Sequence, residues 1–188
     1  MSKPKITSII SALLLSGLTS IALAGEPVTI EYKFEGNTSV SLASVTGGPL
    51  SVNSFSDGRS GISANDISRG DGNEPLTLAN QTVAELVQSS FASAFEAAGA
   101  SLGAAGSPIV LEGNLIEMSI QDKGDGFEVQ IRCELTLRNQ GRSAWQSTVF
   151  SRVETEDKDA TAAVKAGLDR LAAGLFRDDY FLMELGIF

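Results

Sequence analysis

The sequence predicts an α+β fold, a two-layer sandwich whose mostly antiparallel sheet carries two helices on one face in the order β-β-α-β-β-β-α. Three observations lead there. From Ile109 to Val153 apolar and polar residues alternate in long runs broken only by short turns, the period-2 pattern of strands with one buried face. Leu76–Ala98 and the stretch from about Asp157 to Leu175 instead space their apolar residues by three and four, as amphipathic helices do. With no internal repeat, these elements share a single core.

Taken in order, the chain of 188 residues opens with Lys3 and Lys5, a run of apolar and hydroxyl residues, and the small-x-small step Ala22-Leu23-Ala24. That is the pattern of a secretory signal peptide over residues 1–24. Residues 25–48 read as an N-terminal strand and extension, in which Val28, Ile30, Tyr32 and Phe34 alternate with Thr29, Glu31 and Lys33. Residues 49–188 read as one α+β domain. Leu50–Phe55 is a second extended stretch, and the Gly-, Asp-, Asn- and Ser-rich residues 57–75 read as a long, mobile loop.

The helix that follows buries Val83, Leu86, Val87, Phe91, Ala94, Phe95 and Ala98, and Gly99 stops it. Strands are expected over 109–121, 127–138 and 143–153. They are joined by the turn Asp122-Lys-Gly-Asp-Gly126 and the tight hairpin Asn139-Gln-Gly-Arg142. The second helix presents Ala160, Ala163, Val164, Gly167, Leu168, Leu171 and Leu175, with acids crowding its start. An apolar tail from Asp178 to Phe188 is left to dock on the sheet or on a partner.

Composition excludes several functions. The chain carries a formal net charge of −9, and loss of Lys3 and Lys5 with the leader takes it to −11. Such a charge opposes binding to nucleic acid or to anionic lipid, both of which need basic surface. There is one cysteine, Cys133, and no histidine. No internal disulfide, no Ser-His or Cys-His nucleophile and no usual structural zinc set can therefore be assembled. Neither a cofactor nor a metal is expected. No apolar run after the leader is long enough to span a bilayer.

The residues that invite chemistry have simpler explanations. Cys133 lies mid-strand between Ile131 and Leu135 and reads as core. Asp57-Gly58-Arg59 and Asp71-Gly72-Asn73-Glu74 lack the spacing of a calcium loop and read as turns. Glu112, Glu117, Glu128 and Glu134 solvate the exposed face of their strands, and Trp145 reads as a core or sheet-face anchor. What remains are two candidate contact surfaces. One is the acidic loop, with Asp57, Arg59 and Asp71; the other is the tail, with Tyr180, Phe181 and Leu182.

Certain stretches also resemble a known family. They are Phe55-Ser-Asp-Gly-Arg-Ser60, Leu76-Thr-Leu-Ala with the helix to Gly99, Pro108-Ile-Val-Leu-Glu-Gly-Asn-Leu, Gly141-Arg142, Val153-Glu154 and the helix from Ala160 to Leu175. In layout they are similar to the YajG-type lipoproteins of the Gram-negative envelope, over about residues 48–185. The resemblance implies a small periplasm-facing α+β domain without enzymatic activity and with no catalytic residues to carry over. A weaker likeness in layout extends to auxiliary lipoproteins of envelope ABC transporters. The chain departs from the pattern at Glu26, which stands where the lipidated cysteine belongs, and a carboxylate cannot form the thioether. The expectation is a non-catalytic periplasmic protein without a lipid anchor that binds another envelope protein. A carrier of a small apolar ligand is the alternative, and a carboxylate-based hydrolase the remote one.

Overall fold

The computed structural model describes residues 26–70, 72–103 and 106–187; the leader over residues 1–24 and Asp71 lie outside them. Among these residues the chain forms β1 (Leu50–Val52), β2 (Ser56–Asp57), β3 (Asp66–Arg69), β4 (Leu76–Thr77), α1 (Val83–Ala97), β5 (Ile109–Lys123), β6 (Gly126–Asn139), β7 (Arg142–Thr155), α2 (Ala160–Leu175) and α3 (Asp179–Glu184). The sheet is mixed, mostly antiparallel and open, with the order β4-β3-β5-β6-β7 and with β1 and β2 also against β5. The α+β sandwich expected from the sequence is the fold.

The meander β5-β6-β7 is its frame. Gln140 (φ 51°) and Gly141 (φ 79°) both take left-handed backbone, as the tightest hairpin turn requires. Val129, Ile131, Cys133, Leu135 and Leu137 all point inward and are buried, so the alternation of β6 is kept along its length. One residue too many, Ile116, makes a bulge in β5 between the Leu115–Cys133 and Glu117–Arg132 pairs. A bulge restores the inward set beyond it, and Met118 and Ile120 are again buried.

The two long helices, α1 and α2, are capped by local chemistry. Thr82 caps α1 by accepting the Glu85 N–H at 3.2 Å, while the Glu85 carboxylate accepts the Thr82 N–H at 2.7 Å, a capping box. At its other end Gly99, at φ 88°, lets its own N–H reach Glu96 O and that of Ala100 reach Phe95 O. Asp159 caps α2 through the N–H groups of Thr161 and Ala162. Gly167 lets α2 approach the sheet, since a Cβ there would stand 2.8 Å from a Val129 methyl. The Ser151 hydroxyl donates to Gly167 O at 2.9 Å and ties the layers together.

Two expectations need correction. Val28–Phe34 does not join the sheet beyond a single bridge from Val28 to Leu78. It crosses the helices instead: Ile30 O accepts from Gln81 Nε2, Tyr32 Oη donates to Asp169 at 2.7 Å, and the Phe34 N–H donates to Ser93 Oγ. Ile30 and Phe34 are buried while Tyr32 is half-buried. An extended segment lying on helices has one dry and one wet side, so it produces the same period 2 as a strand.

The second correction concerns residues 57–75, read as a mobile loop. They contain β3, with Ile67 fully buried, and a clasp built on Arg59. Its side chain is only 4% exposed and donates to both Asp57 carboxylate oxygens, at 2.9 and 2.7 Å, and to Asp66 O at 2.6 Å. Longer bonds of 3.5 and 3.3 Å reach Ser63 O and Ala64 O. One guanidinium thus joins the Asp57 carboxylate to three loop carbonyls; Ser63 O and Ala64 O also accept the N–H groups of Asp66 and Val83. As a result β1, β2 and β3 line β5 in succession, parallel to it at Leu50–Ile109, Asp57–Leu115 and Ser68–Ser119.

Candidate interaction surface

The side of the sheet opposite the helices is built by the even-numbered residues of β6 and β7 and their β5 partners. The bulge shifts β5 by one there, so Glu112, Asn114, Glu117, Ser119 and Gln121 face outward against Thr136, Glu134, Arg132, Gln130 and Glu128. On β7 the same face carries Gln146, Thr148, Phe150, Arg152 and Glu154. Opposite charges meet across the strands: Arg138–Glu112 at 2.7 Å, Arg132–Glu117 at 3.4 Å and Arg152–Glu128 at 2.6 Å. The first two pairs fix side-chain directions more than they stabilise, because exposed pairs contribute little net energy.

Glu128 departs from the expectation that it solvates the face. It is 1% exposed, with its carboxylate accepting from Gln130 Nε2 and Arg152 Nη2, both at 2.6 Å. The amide of Gln130 and then the Arg152 guanidinium hold it below the ordinary carboxylate pKa. Phe150 breaks the polar pattern in the other direction, lying 52% exposed with the Arg132 guanidinium 5.8 Å from its ring centre. Beside it a groove of about 730 Å³ crosses the strands, lined by Ser56, Asn114, Glu134, Thr136, Gln146 and Thr148 among others. Its side chains are already bonded to one another: Ser56 Oγ to Asn114, Asn114 Nδ2 to Glu134, and Gln146 Nε2 to Thr136. A second hollow of about 590 Å³ lies between the Arg59 loop and the bulge, with Ile62, Pro75 and Ile116 among its walls.

The residues singled out from the sequence fall at opposite edges of the sheet. Asp57 and Arg59 sit beside β5, engaged with each other, and Arg59 holds the Asp57 carboxyl below its ordinary pKa. Asp71 is outside the described residues. At the far edge α3 packs against β7. Phe181 is fully buried there, stacked on Phe95 at 6.1 Å and edge-on to Trp145 at 5.1 Å. Leu182 is buried too, so Tyr180, 76% exposed, is the member of that trio on the surface. The tail docks on its own core. Trp145 anchors it, donating from Nε1 to Asp178 at 3.2 Å.

Chemistry is muted where it was sought. Burial pushes the Cys133 thiol up to about 12, so no thiolate forms near neutral pH. Burial and the bond to Asp169 raise Tyr32 well above an ordinary phenol. Among the described residues no three Cys, Asp or Glu side chains are placed to hold a metal ion, and no helix is long and apolar enough to cross a membrane. Reasoning from sequence missed the groove and Phe150. A signal for the latter existed, a phenylalanine on the polar parity of β7 between Thr148 and Arg152.

No family model matches the sequence, and no curated protein sequence does. Solved structures do match the fold. Protein XCC0632 from Xanthomonas campestris, assigned to DUF330, is 16% identical with a TM-score of 0.60, covering 79% of this chain and 91% of that one. The PelC dodecamer from Paraburkholderia phytofirmans is 14% identical at TM-score 0.44, covering 72% and 92%. Lipoprotein GNA1162 from Neisseria meningitidis is 12% identical at TM-score 0.36, covering 66% and 97%. The likeness to XCC0632 is one of fold. It carries no residue of function with it.

Proposed function

We propose that this chain is a non-catalytic protein of the bacterial envelope, exported to the periplasm and YajG-like in layout, that works by binding another envelope component on its open sheet face. The observation that carries this reading is the uncovered groove across β5, β6 and β7, whose polar side chains are held in place by their own bonds before anything arrives. Pre-ordered side chains lose little freedom on binding. The acids of this face favour contact over catalysis: Glu112 is engaged by Arg138, Glu117 by Arg132, and Glu134 by Asn114. A carrier with its ligand between the layers is less favoured. A chain of rings, Phe34–Phe176–Phe95–Phe181–Trp145, fills that space with centroids 5.1 to 6.2 Å apart.

Two measurements test it. Secreted protein should have the mass of a chain beginning at Gly25, without an added lipid; a mass that includes the leader contradicts export with cleavage. Filling the groove with Thr136→Lys should abolish capture of the envelope component that the wild type retains, whereas Glu96→Lys on the helical layer should not. Equal capture by both variants removes the open face from the proposal.

A further inference from the structure

The two edges of the sheet are built differently. On one side short parallel pieces line β5, and β4 covers β3 in turn. On the other, β7 runs for 14 residues beside β6 and, among the described residues, has no strand on its outer side. A free edge of that length offers a row of unbonded amide and carbonyl groups. Natural proteins blunt such edges with proline, lysine, bulges or short strands. β7 has one irregularity at its start, where Ala144 is left over between the Arg138–Ser143 and Leu137–Trp145 pairs. From Trp145 to Thr155 it has no proline, lysine, glycine or further register shift.

We propose that this edge pairs antiparallel with the same edge of a second copy of the chain, joining the two sheets across a two-fold axis at Ser151. The strand is self-complementary about that point. Residue 150 then stands opposite 152, and residue 149 opposite 153. On the open face each exposed Phe150 meets the Arg152 of the other copy, a cation beside a ring. On the helix side Val149 meets Val153, and both are half-buried at the rim of the core. Shifting the axis to Arg152 sets arginine against arginine, which is unfavourable directly across strands. Shifting it to Phe150 loses both the arginine–phenylalanine and the valine pairs.

Charge does not bar a second copy at this edge. Two copies each at −9 or below repel over most of their surface, yet Trp145–Glu154 carries one Arg and one Glu and is neutral. At the Trp145 end α3 packs against β7; beside α2 the helix layer leaves room. Helical spacing turns Ala162, Ala166 and Gly174 to the flank of α2 away from α1, with Arg170 the long side chain there, and a Cβ at Gly174 would meet nothing within 4 Å. This inference is independent of the groove and its ligand.

Sedimentation equilibrium of the purified protein, paired with amide exchange along β7, decides it. The wild type should have twice the chain mass and slow exchange at its edge amides. Phe150→Lys, which adds the lysine this edge lacks at an already exposed site, should halve the mass and abolish that protection with an unchanged circular dichroism spectrum, its melting curve losing the dependence on concentration that a pair confers. Tyr180→Lys, at another exposed aromatic, should leave the pair intact. A wild type of single mass overturns the proposal, even when an added envelope extract protects the β7 amides. So does a doubled mass that survives Phe150→Lys, or one lost to Tyr180→Lys.

Discussion

Arg59 is the side chain on which the region from β2 to β4 depends. Its nitrogen–hydrogen groups reach Asp57 and the carbonyls of Ser63, Ala64 and Asp66, of which Ser63 O and Ala64 O also accept the N–H groups of Asp66 and Val83. Arg59→Ala removes the charged donor of the half-buried Asp66 O and of the Asp57 carboxylate, and a hydrogen bond to a charged group contributes on the order of 1.5–3 kcal/mol. Urea unfolding should therefore show a loss of about 2 kcal/mol, with no change from Arg142→Ala at the exposed hairpin. The pairing also makes stability depend on acid. Arg59 lowers the folded pKa of Asp57, so the ion pair contributes fully above the unfolded value of about 3.9 and is lost as pH falls through the lower folded value. The stability gap between wild type and Asp57→Asn should be open at about pH 6 and narrow progressively as the pH falls below the unfolded value of about 3.9. A gap that widens on acidification contradicts the assignment.

Among the elements, α3 shows how an apolar tail becomes part of the core. Phe181 completes the ring contacts between Phe95 on α1 and Trp145 on β7, while Asp178 caps α3 through the Phe181 N–H at 2.9 Å. Phe181→Ala should cost about 3–5 kcal/mol and shift Trp145 emission to the red, whereas Tyr180→Ala should stay within about 0.5 kcal/mol. Equal effects would mean that the tail is not anchored at Phe181. The meander, both long helices and their stops were legible in the sequence because each is written in local periodicity and capping residues. The path of Val28–Phe34 was not, since alternation reports a wet and a dry side without saying whether strands or helices supply the dry one. The order of residues 57–75 was hidden for a related reason. A polar, glycine-rich composition shows little to bury, and the clasp that orders it depends on Arg59 meeting carbonyls up to seven residues away.

For the molecule as a whole, the sheet buries one face under helices and leaves the other bare, and the bare face gathers the features that fit a partner. The acids there were visible in the sequence as the wet parity of β5 and β6. Their assembly into a groove was not, because it depends on β2 lying alongside Asn114, a long-range pairing. The net charge of −9 opposes binding to nucleic acid, and the helical layer is closed over by the N-terminal segment through Tyr32 and Phe34. A photo-crosslinking amino acid placed at Thr136, in the floor of the groove, and separately at Glu96, on the far side, reads the working surface in living cells. Adducts to one envelope component should form from position 136 and not from position 96; adducts from position 96 alone, or from neither, contradict binding on the open face.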